Sequence, residues 1–481
     1  MLNKPSRLNT AIEGSGKRAG AALLMPKLAP GSPAKGDRKA ASVLPFWTGD
    51  LLSRTMRAQR TDFSKLAIHG GKPVRKQPIP HSAHGTSEIG KPEIDAVVRV
   101  LKRKTIFRFL NKPAVSESAQ LEAAYRKYTG AKYALAIGSG GTTSLVSALV
   151  GLGVGAGDEV IVPGYTYIAT AAACLVVNAV PVICEIDNSL TMDPRDMERK
   201  ITRHTRAIIP VHMRGTPCRM REILAVARKH KLAVLEDVAQ ANGGAYRGRK
   251  LGSIGDVGAF SFQHYKVITS GEGGMVITND RQIYQRACIA HDSAMVFWSK
   301  EGWKVKPFAG ENYRMCELRA ALGLAQFRRI DDILGRCRAV KRRIVERIGD
   351  LERIQLQDVP DPKGDCGISL AFYLPDARRA RAFSDALKKE GIPNGTMFNK
   401  GIPDRHIYCY WDYVMRKWSR DRMGLPWSRA VYKGNVRYSR GMCPQTLHWL
   451  GRAVVFHLHQ HLTTRDADDI ARGVRKVAQA L

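Results

Sequence analysis

An α/β protein built on a mainly parallel sheet is the fold class the sequence predicts, and three observations carry it. Between Tyr133 and Asp237, short apolar runs alternate with longer segments of helical periodicity, the signature of strands joined by helical crossovers. The run Tyr133 to Ser139 leads through Gly140-Gly141-Thr142-Thr143 into a helical stretch from Ser144 to Leu152, a strand, glycine turn and helix in succession. Finally, the apolar residues around Phe260 and Phe262 and the stretch Gly273 to Thr278 read as two buried strands, with the single lysine Lys266 between them.

The 481 residues, 44% of them hydrophobic, leave room for two or three domains and a sizeable core. Residues 1–60 mix Lys, Arg, Ser, Gly, Pro and Ala without an apolar period and read as a basic, disordered extension. A targeting presequence and a misassigned start codon are the other readings of that segment. A large domain is expected over 61–330 and a smaller α/β domain over 331–481. Nine scattered cysteines without CxxC or Cys/His spacing predict no metal site and suit a reducing cytoplasm. The longest apolar stretch, Ala171 to Ile186, is broken by Asn178 and Pro181, so no membrane span is expected. The formal charge of +34, from 77 Lys and Arg against 43 Asp and Glu, invites a nucleic-acid reading. Against it, the basic residues are dispersed, and no zinc-finger, helix-turn-helix or aromatic RNA-binding pattern is present.

Taken in order, Ile89 to Leu101 places Ile94, Val97, Val98 and Leu101 at helical spacing, with Pro92 in the first turn. A second helix is expected from Ser118 to Tyr128, stopped at Gly130. Gly157 to Tyr167 reads as strand then loop. A helix to Asn178, strands Val180 to Ile186 and Ala207 to Met213, and a helix Met220 to Lys231 follow. The next strand ends in Glu236-Asp237, placing Asp237 at a carboxyl end, where ligands of such sheets gather. Beyond it, Ile330 to Asp350 is a long basic helix, and Leu370 to Leu374 and Ala453 to Leu458 are strands. The stretch 394–439, with Tyr408, Tyr410, Trp411, Trp418 and Trp427, is expected to serve substrate recognition.

Lys266 borders an apolar stretch, where desolvation lowers an amine's pKa and frees it to form a Schiff base with a carbonyl. The glycine turn at 140–141 brings backbone amides and a helix N-terminus together, a cradle for a phosphate dianion. Ser261-Phe262-x-x-x-Lys266, followed by Gly271-Glu272-Gly273-Gly274, resembles the cofactor-lysine segment of the DegT/StrS family of pyridoxal-phosphate (PLP) sugar aminotransferases. The resemblance runs from Ile89 to Gln326 and again from Cys443 to Val477. It takes in Gly141-Thr142-Thr143-Ser144-Leu145, where Ser144 departs from the family's alanine, and Glu236-Asp237-x-Ala239-Gln240.

The resemblance implies an aspartate aminotransferase-like fold type I, with a seven-stranded, mainly parallel sheet in the PLP-binding domain. It implies that Lys266 carries PLP and that Ser261, Thr142 and Thr143 hold its phosphate. Tyr167 stacks on the ring, Asp237 keeps the ring nitrogen protonated, and Gln240 bonds the phenolic oxygen. In Gly310-x-Asn312-x-Arg314, the resemblance implies that Asn312 reaches the neighbouring subunit's phosphate in a homodimer with shared sites, and that Arg314 reads a substrate or donor carboxylate. The expected reaction moves an amino group from glutamate or glutamine to a nucleotide-linked keto-sugar, an octulosonate-type sugar acid or a cyclitol ketone, in the cytoplasm. The rivals are a PLP-dependent sugar dehydratase, which carries histidine at the lysine position and for which His264 lies two residues away, and a non-catalytic or nucleic-acid-binding relative.

Overall fold

The computed structural model describes residues 63–480, except 78, 299–301 and 399–402, so the expectation for residues 1–60 lies outside the described residues. A seven-stranded sheet forms the centre, from β1 (Tyr133–Ile137), β2 (Glu159–Pro163), β3 (Val180–Cys184), β4 (Thr205–Ile208) and β5 (Ala233–Asp237), then, after a small ribbon of β6 (Ala245–Tyr246) and β7 (Arg249–Lys250), β8 (Val257–Ser261) and β9 (Gly274–Thr278). Their order is β1-β9-β8-β5-β4-β2-β3. Only β9 runs antiparallel to its neighbours, so the sheet is mainly parallel, as predicted. Each central strand is buried on both faces, which is why the sequence shows unbroken apolar runs here and not alternation.

A four-stranded antiparallel sheet follows, ordered β10 (Gln355–Leu356), β11 (Ser369–Tyr373), β13 (Ala453–His457) and β12 (Gly395–Thr396). One face of β11 and β13, through Ala371, Tyr373, Ala453 and Val455, joins the core of the large sheet. The other, through Leu370, Phe372, Val454 and Phe456, packs on the helices Ile330–Ile348, Ala377–Lys389 and Thr464–Ala480. The second predicted helix spans Glu117–Thr129, with the Ser116 hydroxyl capping its start and Gly130 in the left-handed conformation ending it.

Three expectations are corrected. The helix after β1 begins at Gly141, not Ser144, because the Thr143 and Ser144 hydroxyls donate back to the Gly140 carbonyl and wind the glycine turn into the first helical turn. The strand expected over 207–213 stops at Ile208, before Pro210, which has no amide to donate to a ladder, and the chain enters a short turn at Met213–Gly215. In the helix Lys91–Arg103, the buried residues are Glu93, Ala96 and Val100. Ala96 and Val100 meet Ala321 and Ala325 of the helix Glu317–Phe327, and small residues let these two helices approach closely. The predicted apolar stripe is turned outward, with Ile94 57%, Val98 39% and Leu101 54% exposed.

The end of β5 is held from below. The fully buried Glu236 carboxylate accepts the amides of Gly252, Ile254 and Gly255 and bonds the His212 ring at 3.0 Å. Leucine at 236 would orphan all these donors, and each unpaired buried donor costs about 1–3 kcal/mol. Glu236→Leu is therefore expected to cost about 3–5 kcal/mol, read as a lowered midpoint of urea unfolding.

Candidate active site

Strands β1, β8 and β5 point the same way, so their carboxyl ends deliver Gly140 and Gly141, Ser261, and Asp237 to one edge of the sheet. Gly141 lies against Ser261. A Cβ on residue 141 would stand 2.9 Å from the Ser261 Cβ and 3.2 Å from its Oγ. The free amides of a helix N-terminus thus meet a buried serine hydroxyl, a concave, donor-rich cradle fit for a phosphate. The Thr142 hydroxyl makes no hydrogen bond to a described residue, whereas that of Thr143 is turned back on Gly140 at 3.0 Å. Gly141→Ala should fold yet weaken binding of a phosphate-bearing ligand at least about tenfold, since the added methyl forces the cradle open. A titration of cofactor absorbance against concentration checks it.

Asp237 is buried; Thr170 Oγ1 donates to its Oδ2 at 2.8 Å and the Ala239 amide to its Oδ1 at 3.0 Å. Burial pushes its carboxyl above the usual range, opposed by those two donors and by the charge of Lys266. Burial likewise pulls the Lys266 amine below its usual value, against the opposing pull of Asp237 and Glu272. The two residues therefore act on each other electrostatically. Glu272 also approaches Gly140, its Oε2 3.2 Å from where a Cβ would stand. The backbone of Lys266 is fixed by a turn, its amide donating to Gln263, while its carbonyl accepts the Gly85 amide at 3.1 Å.

Lys266 and Gln240 line one cavity of about 300 Å³, and the Gln240 Oε1 accepts the Arg214 amide at 3.2 Å. Tyr167 is 47% exposed, its ring 5.3 Å from that of His406 in the cavity wall. Asn312 is exposed and pairs with Asp292 by a backbone bridge outside the lining of this cavity. Arg314 is bound by the buried Asp292 carboxylate at 2.7 Å, with its guanidinium over the Phe107 ring. His264 is exposed and lies against Thr86 and Tyr265, so it does not take the place of Lys266.

Several lining residues escaped the sequence reading. Arg214 has φ 55°, a left-handed conformation worth about 1–2 kcal/mol of strain in a non-glycine residue. Nothing in Met213-Arg214-Gly215 announces it. The histidines could have been found, because His457, His459 and His461 alternate along and beyond a predicted strand and so share a face. In the structure the His457 and His459 rings bond the Ser82 and Pro80 carbonyls, each at 3.1 Å, and tie the segment 79–85 over the cavity. From the stretch 394–439 the cavities take Asn394 to Met397, Asp404 and His406. Tyr408 and Trp411, by contrast, are fully buried packing residues, because their aromatic bulk fills the core and their polar tips are satisfied by backbone.

Comparison with known proteins gives the family. A family model described as the DegT/DnrJ/EryC1/StrS aminotransferase family matches residues 88–416. The GDP-perosamine synthase of Caulobacter vibrioides is 44% identical over 227 residues, 47% of this chain and 59% of that relative, so the match spans less than two thirds of its length. The L-glutamine:2-deoxy-scyllo-inosose aminotransferase of Streptoalloteichus tenebrarius is 38% identical over 300 residues, 60% of this chain and 68% of that relative. The crystal structure of an aminotransferase from Psychrobacter cryohalolentis superposes with a TM-score of 0.66 at 28% identity, covering 82% of this chain and 98% of its own.

Proposed function

This chain belongs to the DegT/DnrJ/EryC1/StrS aminotransferase family, and from that premise we propose that it is a PLP-dependent aminotransferase. It moves an amino group from glutamate or glutamine to the carbonyl of a keto-sugar or cyclitol ketone. The observation that carries this reading is the electrostatic coupling of half-buried Lys266 with buried Asp237, on the sheet edge that also bears the Gly141 and Ser261 cradle.

The site fits PLP by charge and shape. The helix N-terminus at Gly141, with Thr142 and Ser261, would hold the phosphate, Asp237 the ring nitrogen and Gln240 the phenolic oxygen, with Tyr167 against the ring face. PLP bound there supplies an electron sink for charge released at the donor's α-carbon. Asp237, its carboxylate form favoured against burial by Thr170, the Ala239 amide and the charge of Lys266, would hold a proton on the ring nitrogen by its negative charge. Lys266, uncharged more readily than an exposed lysine, takes the proton from the donor's α-carbon and later returns one to the acceptor's carbon. The segment 79–85 above the cavity limits the entry of water.

The named relatives support sugar and cyclitol acceptors as a class. The active form is a cytoplasmic homodimer in which Asn312 completes the partner's phosphate site and the outward stripe of Ile94, Val98 and Leu101 is covered by the second copy. Incubation with PLP, labelled glutamine or glutamate and a panel of keto-sugars tests the reading. Transfer of label with parallel double-reciprocal lines is the expected result, and a protein that binds no PLP and consumes no donor refutes it.

A further inference from the structure

The cavity beside Lys266 continues into a second of about 370 Å³, and His81, Arg214 and His457 line both. Arg214 sits at the junction. Its Nε donates to the buried Tyr165 hydroxyl at 2.8 Å and its amide to Gln240, so backbone and side-chain stem are both fixed. Its two terminal nitrogens make no hydrogen bond to any described residue. No carboxylate lines the Lys266 cavity among the described residues. The one in the second cavity, Asp404, is bonded to the His406 amide and Nδ1 and also feels the Arg214 charge, without a hydrogen bond to it. A non-glycine residue held at φ 55°, lining two cavities with terminal guanidinium nitrogens that make no hydrogen bond to a described residue, is strain of the kind found at ligand sites.

We propose that Arg214 is a specificity-determining residue that binds an anionic oxygen group, carboxylate or phosphate, carried by the amino acceptor and lodged toward the second cavity. This deepens the function proposed above and rests on it. The geometry favours the acceptor over the donor, because the second cavity leads away from Lys266, past Asn394 to Met397, and gives room for a substrate extended beyond its reacting carbon. Burial keeps His457 uncharged, its pKa pushed down to about 4, so it offers polar contacts without charge. Arginine is permanently ionised and presents a planar fork matched to oxyanions.

The test uses the PLP-loaded enzyme and its Arg214→Gln and Arg214→Lys variants, titrated calorimetrically with D-gluconate, D-glucitol 6-phosphate and D-glucitol. These share a carbon skeleton and differ in bearing a carboxylate, a phosphate or no charge. Wild-type enzyme should prefer one or both anions, and Arg214→Gln should lose about 10- to 100-fold of that preference, with Arg214→Lys in between. Preference for gluconate assigns a carboxylate, and preference for the phosphate assigns a phosphoryl group. The half-reaction with glutamate, followed by cofactor absorbance, should stay within about threefold of wild type in both variants. Equal binding of all three probes by wild-type enzyme, a preference that survives Arg214→Gln, or a glutamate half-reaction slowed as much as anion binding overturns the proposal. Failure of the wild-type half-reaction itself refutes the aminotransferase reading and leaves the binding comparison to judge Arg214.

Discussion

Replacing Lys266 with alanine should abolish amino transfer, by at least about 10⁴-fold, while leaving the protein folded and no less stable. The amine acts directly on Asp237, and burial prepares it to lose and regain a proton by weakening its hold on that proton. The same burial makes it a cost to the fold, which truncation relieves. A single-turnover measurement with glutamate, followed by cofactor absorbance, reads the loss, and chemical unfolding reads the stability. Borohydride treatment of the loaded wild-type enzyme should also fix the cofactor to the peptide containing residue 266 and to no other. A variant turning over within tenfold of wild type would remove the lysine from its role.

Asp237→Asn isolates charge from shape and should lower turnover by about 10²–10³-fold. The Ala239 amide can still bond the side-chain carbonyl and Thr170 can turn its hydroxyl to accept, so the loop after β5 keeps its course. What is lost is the negative charge that holds a proton on a ring nitrogen. Cofactor affinity should fall much less than turnover, and the unfolding midpoint should barely move. Equal losses in affinity and turnover would instead mean that Asp237 is a binding group only.

Much of this could be read from the amino acids. Strands buried on both faces announce themselves as apolar runs, and the three loops that meet at the sheet edge each carry a short pattern whose chemistry is local: Gly140 and Gly141 for close approach, Asp237 at a strand end, Lys266 beside an apolar stretch. Three things were not legible. The left-handed backbone at Arg214 is imposed by the close of β4 before Pro210 and by bonds to Tyr165 and Gln240, none of them neighbours in sequence. The outward turn of Ile94, Val98 and Leu101 follows from the small residues of another helix, which attract Ala96 and Val100. Aromatic residues in 394–439 looked like a recognition surface, yet Tyr408 and Trp411 fill the core, because periodicity cannot distinguish a ring that touches substrate from one that touches leucine.

The imidazoles around the segment 79–85 have a practical side. His84 and His457 are held well below the ordinary histidine value of 6.5, at about 3 and about 4, chiefly by burial, and His459 is shifted the same way. A group whose proton affinity falls on folding lends its full support only above the unfolded value, so stability here is complete above about pH 6.5 and drains away as acidity rises toward pH 4. Acid elution or storage in acetate buffer should therefore loosen the lid over the amine before the sheet gives way, and the enzyme should lose its cofactor while its circular dichroism still looks native.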